Sequence, residues 1–154
     1  MTVSFVGHSV IASQSDIKEI VKRHVRNITK SSSKITCYLG GYGDFDQICA
    51  TACRELKEEL MDIELVYITP YLTLPAQEKI NCMLKQGDYD RMIYPPIETV
   101  PLKFAISKRN EWMMKNCDLV IAYVKHSYGG AYNTLKEAKR KNKKIINVAD
   151  CIEA

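Results

Sequence analysis

The stretch from Arg109 to Ala138, RNEWMMKNCDLVIAYVKHSYGGAYNTLKEA, sets an arginine ahead of an apolar run, a glycine pair and a second helical segment. Glycines let backbone N–H groups approach a ligand closely, and the helix that follows adds the positive end of its dipole, which favours phosphate. Two other turns carry related residues: Gly7-His8-Ser9, and Gly40-Gly41-Tyr42-Gly43-Asp44-Phe45-Asp46. With His126-Ser127-Tyr128-Gly129-Gly130-Ala131-Tyr132-Asn133 they make three, each after an apolar run. In open α/β sheets the ligand sits beyond the carboxyl ends of the strands, where neighbouring turns converge. The first turn lacks the GxGxxG spacing and no Walker lysine follows any of the three, which excludes a standard dinucleotide fold and a P-loop NTPase.

Each polar residue in these turns has two readings. His8 is placed to donate to a phosphate or a base, or is simply a turn residue. Asp46 suits a ribose hydroxyl or is a surface carboxylate. Asp44 is expected to cap the second helix through the N–H groups of its first turn. Arg109 precedes Trp112 by three residues on a helix, so it makes either a surface ion pair or stacking contact, or a bidentate grip on phosphate. Tyr128 and Tyr132 flank the glycines and suit base stacking. His126 is a loop residue or a contact, His24 a half-buried core histidine, and Trp112 a packing residue. No histidine stands at metal spacing from a cysteine and no CxxC occurs, so no metal site is expected.

The elements that must position these turns alternate along the chain. Val3–Val6 reads as a short strand, and a helix from about Asp16 to Thr29 turns Ile17, Ile20, Val21, Val25 and Ile28 inward, with Ser13 as its cap. Ile35–Leu39 is a second strand. The next helix repeats Ile48, Ala52, Leu56 and Leu60 every four residues, and Ile63–Ile68 gives a third strand. Leu119–Val124 lacks alternation and is too short for a lone amphipathic helix, as befits a central parallel strand. All five prolines fall between residues 70 and 101, around a short helix near Gln77–Leu84 and a strand at Arg91–Tyr94. Residues 69–103 therefore read as an elaborated crossover at the rim of a pocket, rather than a linker. The expected fold is α/β: a Rossmann-like three-layer sandwich around a mostly parallel sheet of about five strands.

Composition bounds the rest. The 154 residues fit one domain, 1–154, able to bury a core without disulfides. The net charge of +4 comes largely from the run at Lys136–Lys144, which complements a helix end and lacks aromatic stacking residues; a solvated face is the simpler reading, and nucleic acid is not the expected partner. Cys49 and Cys53 lie four apart on a helix and read as small core residues, and the six cysteines together fit a reducing cytosol. No apolar run approaches the roughly 18 residues of a membrane span, and strand-like sequence from Val3 leaves no signal peptide to expect.

Phe5-Val6-Gly7-His8, Gly40-Gly41 with Phe45-Asp46, Arg109-Asn110-Glu111-Trp112-Met113 and Asp118 through Ala138 together resemble the SLOG superfamily, most closely its YpsA-like bacterial and phage branch. The resemblance runs over nearly the whole chain in the same motif order. SLOG relatives include the LONELY GUY phosphoribohydrolases, whose pattern is an arginine and lysine, a strand, then PGGxGTxxE. Arg109 matches that arginine, Gly129-Gly130 the glycines, Thr134 the threonine and Glu137 the glutamate. Asn110 replaces the lysine, no proline precedes the glycines, and Ala131-Tyr132-Asn133 adds a residue while losing the third glycine. Nucleoside deoxyribosyltransferases show a similar threonine-to-glutamate spacing, with the glutamate as nucleophile.

The resemblance implies a nucleotide-derived ligand, no separate cofactor and a homodimer paired through helices beside the pocket. Turns and motif matches together give the candidate ligand contacts: Gly7, His8, Ser9, Gly40, Gly41, Asp46, Arg109, Ser127, Gly129, Gly130, Ala131 and Thr134. Two functions stay open. The altered glycine pattern favours a non-catalytic sensing, regulatory or sequestering module. Arg109 and Glu137 favour an N-glycosidase, in which a carboxylate meets the positive charge that develops on the sugar as the bond breaks. Against that role, Lys141 follows Glu137 by four residues, the spacing of a solvent-facing ion pair.

Overall fold

Glycine punctuation and apolar runs resolve into one parallel sheet in the computed structural model of the protein, which describes residues 1–59 and 61–151. In chain order the elements are β1 (Thr2–Gly7), α1 (Gln14–Thr29), β2 (Ile35–Leu39), α2 (Asp44–Glu58), β3 (Ile63–Ile68), α3 (Leu74–Gln86), β4 (Arg91–Ile93), α4 (Ala105–Lys115), β5 (Leu119–Tyr123), α5 (Gly130–Arg140) and β6 (Lys144–Asn147). The strands lie in the order β4-β3-β2-β1-β5-β6, and every neighbouring pair is parallel. The α/β reading therefore holds, with six strands where about five were expected. β6 was hidden because Lys144 and the basic run before it obscure the apolar pair Ile145-Ile146.

Alternation along the strands feeds two cores. Val3, Phe5, Cys37, Leu65, Ile121 and Tyr123 pack with α1, α2 and Ile80 of α3 on one face. Val6, Val66, Val120 and Ala122 pack with Met113 and Met114 of α4 and Leu135 and Ala138 of α5 on the other. Cys49 and Cys53 are fully buried, and Sγ of Cys53 lies 3.6 Å from that of Cys37. The inner face of α1 includes Ile17, Val21, Val25 and Ile28 as expected, with Ile20 half-buried against the same core. Leu60, the last residue of the four-residue repeat in α2, lies outside the described residues.

The proline-containing segment holds α3 and then β4, which pairs parallel with β3. Thr73 caps α3 by accepting from the Ala76 N–H at 3.4 Å, Pro75 sits in the first turn, and Gly87 closes the helix at φ +79°. That start signal places the helix three residues before the expected Gln77. Two expected caps are corrected. Ser13 occupies the N-cap of α1 without a side-chain bond. Asp44 is the first residue of α2, and its Oδ2 accepts from the Ile11 N–H at 2.8 Å, so it ties down the loop after β1 instead of capping its own helix.

The chain runs outward in one direction from β1 to β4 and in the other from β5 to β6, so the order reverses between β1 and β5. A crevice forms at such a reversal. Its floor is tight: a Cβ on Gly7 would lie 2.4 Å from the Phe45 ring, in the middle of the first core. Gly7→Ala is expected to destabilise the fold by about 1–3 kcal/mol, the usual cost of overpacking, read as a lowered urea midpoint at unchanged m-value; an unchanged midpoint would show that Phe45 can withdraw freely.

Candidate functional site

The three turns meet at that reversal because backbone bonds hold them together. The His8 N–H donates to the Tyr123 carbonyl at 3.2 Å, and the Asp44 and Phe45 N–H groups donate to the carbonyls of Ser9 and His8 at 2.9 and 3.4 Å. The His8 side chain completes the lock. Its Nε2 accepts from the Lys125 N–H at 2.8 Å and lies 3.4 Å from that of His126, so the ring must be neutral at that nitrogen. Burial pushes its pKa below the ordinary histidine value, with the nearby His126 and Lys125 adding to the effect. His8, His126 and Tyr128 form a run of stacked rings, with centroids 4.7 and 5.1 Å apart.

Above the turns lies a cavity of about 420 Å³, within the range of small-molecule sites. Gly7, His8, Ser9, Gly40, Asp46, Arg109, Gly129, Gly130 and Ala131 all line it, together with Val10, Tyr42, Ile106, Asn110, Met113, His126 and Tyr128. Ser127 and Thr134 do not. Thr134 is buried, and its hydroxyl bonds the Gly130 carbonyl at 2.9 Å, one turn back along α5. Gly41 faces a second cavity, with φ +66° and a position where a Cβ would lie 2.2 Å from the Tyr67 ring.

Two helix N-termini point at this region, and they differ. The first N–H groups of α2 are taken by the carbonyls of Ser9 and His8. At α5 the N–H groups of Gly130, Ala131 and Tyr132 have no acceptor among the described residues. They are the orphan donors of a helix start, backed by its dipole. Gly129, Gly130 and Ala131 line the cavity, and a Cβ on Gly130 would meet nothing within 4 Å.

Across the cavity stands Arg109, only 2 % exposed. Its Nη1 donates to the carbonyls of Gly40 at 3.0 Å and Ile68 at 2.7 Å, and its Nε donates to Oδ1 of Asn110 at 2.8 Å. Three of its five N–H bonds are thus satisfied and Nη2 keeps two without an acceptor among the described residues. No carboxylate among those residues lies within ion-pair distance of it. Asp46 is the one carboxylate lining the cavity; burial raises its pKa to about 6, opposed by the Tyr42 N–H bonded to its Oδ2 at 3.0 Å and by the field of Arg109. Asn110, where the resemblance expects lysine, joins the Arg109 Nε to the Thr134 hydroxyl at 3.5 Å and so ties α4 to α5.

Glu137 lies elsewhere. It sits seven residues, roughly 10 Å, along α5 from Gly130, outside the cavity lining. Lys141 bonds its Oε1 at 2.9 Å and Arg140 chelates both oxygens, and those bonds hold its carboxyl down at about 2. Trp112 packs against Tyr38 with ring centroids 5.5 Å apart, and His24 is half-buried beside Cys151. Among the described residues no group of three or more His, Cys, Asp or Glu side chains could hold a metal ion, and no helix is long and apolar enough to cross a membrane.

Sequence reasoning missed Ile106 and Met113 in the cavity, and Tyr67, Tyr71 and Lys79 in the second one. For the first pair a signal existed: Ile106, Arg109, Asn110 and Met113 recur at helical spacing and share one face of α4. For the others no local pattern sets ligand-facing residues apart from ordinary strand and helix ends.

No protein-family model matches the chain, and no curated protein does. Solved structures share its fold at low identity. DNA processing protein A (DprA) from Streptococcus pneumoniae superposes with a TM-score of 0.65 at 16% identity, over 94% of this chain and 48% of that one. TM1055, a structural-genomics target, gives 0.60 at 15%, over 98% and 79%. DprA from Helicobacter pylori, solved for its single-stranded DNA binding mode, gives 0.61 at 14%, over 94% and 63%. The chain thus spans between about half and two thirds of the length of the DprA structures.

The His8 lock carries a pH signature. Because its folded pKa is depressed, its contribution to stability is fully present above the unfolded value near 6.5 and is lost as pH falls through the folded value. The stability advantage of the native protein over His8→Ala is therefore expected to be constant above about pH 7 and to shrink steadily below about 6.5. Paired denaturation curves across that range check it; a constant advantage would show that His8 Nε2 is not the acceptor that matters.

Proposed function

We propose that the protein is a SLOG-type module, akin to the YpsA-like branch, that binds a nucleotide or nucleotide-derived molecule for sensing, regulation or sequestration rather than for turnover. The observation that carries this reading is the pairing, across one cavity, of a buried arginine with a helix N-terminus, neither of which has an anionic partner among the described residues. Both groups want an anion, and phosphate satisfies both chemistries: backbone N–H groups at α5 and charge-assisted bonds from Nη2 of Arg109. The exposed Tyr42 and Tyr128 at the rim offer aromatic faces to a base. The fold shared with the DprA structures is consistent with the superfamily, and the single-stranded DNA binding mode of one of them keeps a short single strand among the ligand forms to test.

The N-glycosidase reading needs a free carboxylate near the sugar. Glu137 is held outside the cavity by two cations, and the carboxylate that does line it, Asp46, is engaged by the Tyr42 N–H. The geometry supports binding better than cleavage.

Native mass spectrometry with a panel of nucleoside monophosphates, reading retained ligand and released base together, tests the proposal. Binding without free base is expected. Gly130→Asp should abolish binding, because it sets a carboxylate before the orphan N–H groups, while leaving the melting temperature within a few degrees since nothing lies near its Cβ. Glu137→Gln should bind as the native protein does. Released base that disappears in Glu137→Gln would establish the enzyme instead, and unaltered binding by Gly130→Asp would remove the α5 N-terminus from the site.

A further inference from the structure

The second cavity, of about 280 Å³, lies beyond the carboxyl ends of β2 and β3 and shares Gly40, Tyr42, Ile106 and Arg109 with the first. The two are compartments of one cleft with the Arg109 guanidinium at the neck. Their linings differ in chemistry. The first has the helix N-terminus, two histidines and Asp46. The second has the rings of Tyr67 and Tyr71, the apolar side chains of Pro70 and Ile80, Lys79 at its edge and no carboxylate. The Thr69 hydroxyl that lines it already bonds the backbone of Tyr71, at 2.8 Å to the carbonyl and 3.2 Å to the N–H.

We infer that the second cavity is a ring-binding subsite of the same cleft, and that the ligand is two nucleosides joined through one phosphodiester whose phosphate lies at Arg109. This rests on the nucleotide-binding reading above and narrows its ligand class. On its own the second cavity is just below the roughly 300 Å³ at which small-molecule sites begin, room for one ring system and little else. Its aromatic and apolar walls suit a flat base, which stacks on tyrosine whatever its identity. Arg109 decides the linker. Nε and both N–H bonds of Nη1 are spent on Asn110, Gly40 and Ile68, which leaves one nitrogen to reach a ligand. One free guanidinium nitrogen, set at the neck between the two compartments, suits a non-bridging oxygen of the single phosphodiester that would join them. A second, terminal phosphate then falls to the N–H groups of α5 on the far side of the first cavity.

Calorimetric titration of the full chain with AMP and with the 5′-phosphorylated dinucleotide pApA tests the inference. Stacking of the second base should make pApA bind about tenfold tighter than AMP or better. Ala76→Trp fills the second cavity from a half-exposed position on α3, so it should bring pApA to within about threefold of AMP and leave AMP unchanged. Tyr71→Ala should act in the same direction by removing a stacking face, and it reads the subsite independently if the tryptophan disturbs α3. AMP binding with no advantage for pApA would overturn the subsite and leave the nucleotide reading standing. An advantage that survives both substitutions would place the second base elsewhere and overturn it as well. Failure of both probes to bind would overturn the nucleotide reading and the subsite together.

Discussion

One buried guanidinium organises this molecule. Arg109 reaches from α4 across the carboxyl ends of two adjacent strands and takes the carbonyls just past the end of β2 and at the end of β3. Hydrogen bonds to a charged donor contribute about 1.5–3 kcal/mol each, while burying an ion costs several; the three bonds offset a cost of the same order. The arrangement also fixes the backbone of Gly40, whose missing side chain is what lets the guanidinium approach: a Cβ there would sit 2.9 Å from its central carbon. Position of α4, path of the turn after β2 and division of the cleft into two compartments all follow from this one contact.

The two glycine-led helices show how little separates a turn whose donors are taken from one whose donors stay open. Gly43 before α2 and Gly129 before α5 adopt nearly the same backbone, φ +89° and ψ 174° against φ +94° and ψ 177°. What differs is the neighbour. The turn after β1 presses its carbonyls onto α2, and a Cβ on Gly43 would lie 2.7 Å from Ser9. No such strand turn covers α5, because β5 stands at the reversal of strand order with the crevice beside it. Topology, not glycine content, leaves one set of donors open.

That contrast explains what was legible in the sequence. Leu119–Tyr123 declares itself because burial on both faces removes polar residues from a strand, and Ile35–Leu39 because buried residues alternate with half-buried ones. The turns were legible too, since glycines after strands mark where a ligand can approach. Thr134 and Glu137 lie outside the cavity lining for a geometric reason. Matched by spacing to a known motif, they fall four and seven residues into α5, where a rise of about 1.5 Å per residue carries them away from the first turn. Asp44 looked like a cap because its type and place suit one, yet the competing donor, the Ile11 N–H, comes from a loop 33 residues earlier. Lys79 reaches the second cavity because Ile80 beside it packs into the first core, and Tyr71 because the turn after β3 bends there, relations that no window of sequence contains.

Charge balance in the cleft supports the anionic occupant proposed for it. Asp46 and Arg109 sit in one another's field without forming an ion pair, and the carboxyl is raised to about 6 because burial outweighs that field. A carboxylate aimed at a developing sugar cation would need to be ionised and free, as in glycosidic chemistry, whereas this one receives the Tyr42 N–H and serves the turn. The arginine has the opposite imbalance: it stays charged at any physiological pH, it lines both cavities, and its Nη2 has no acceptor among the described residues. A phosphate placed there and another at α5 would complete both sets of hydrogen bonds without displacing any bond the fold already makes. The proposed binding reading therefore asks only for donors that are left without an acceptor among the described residues.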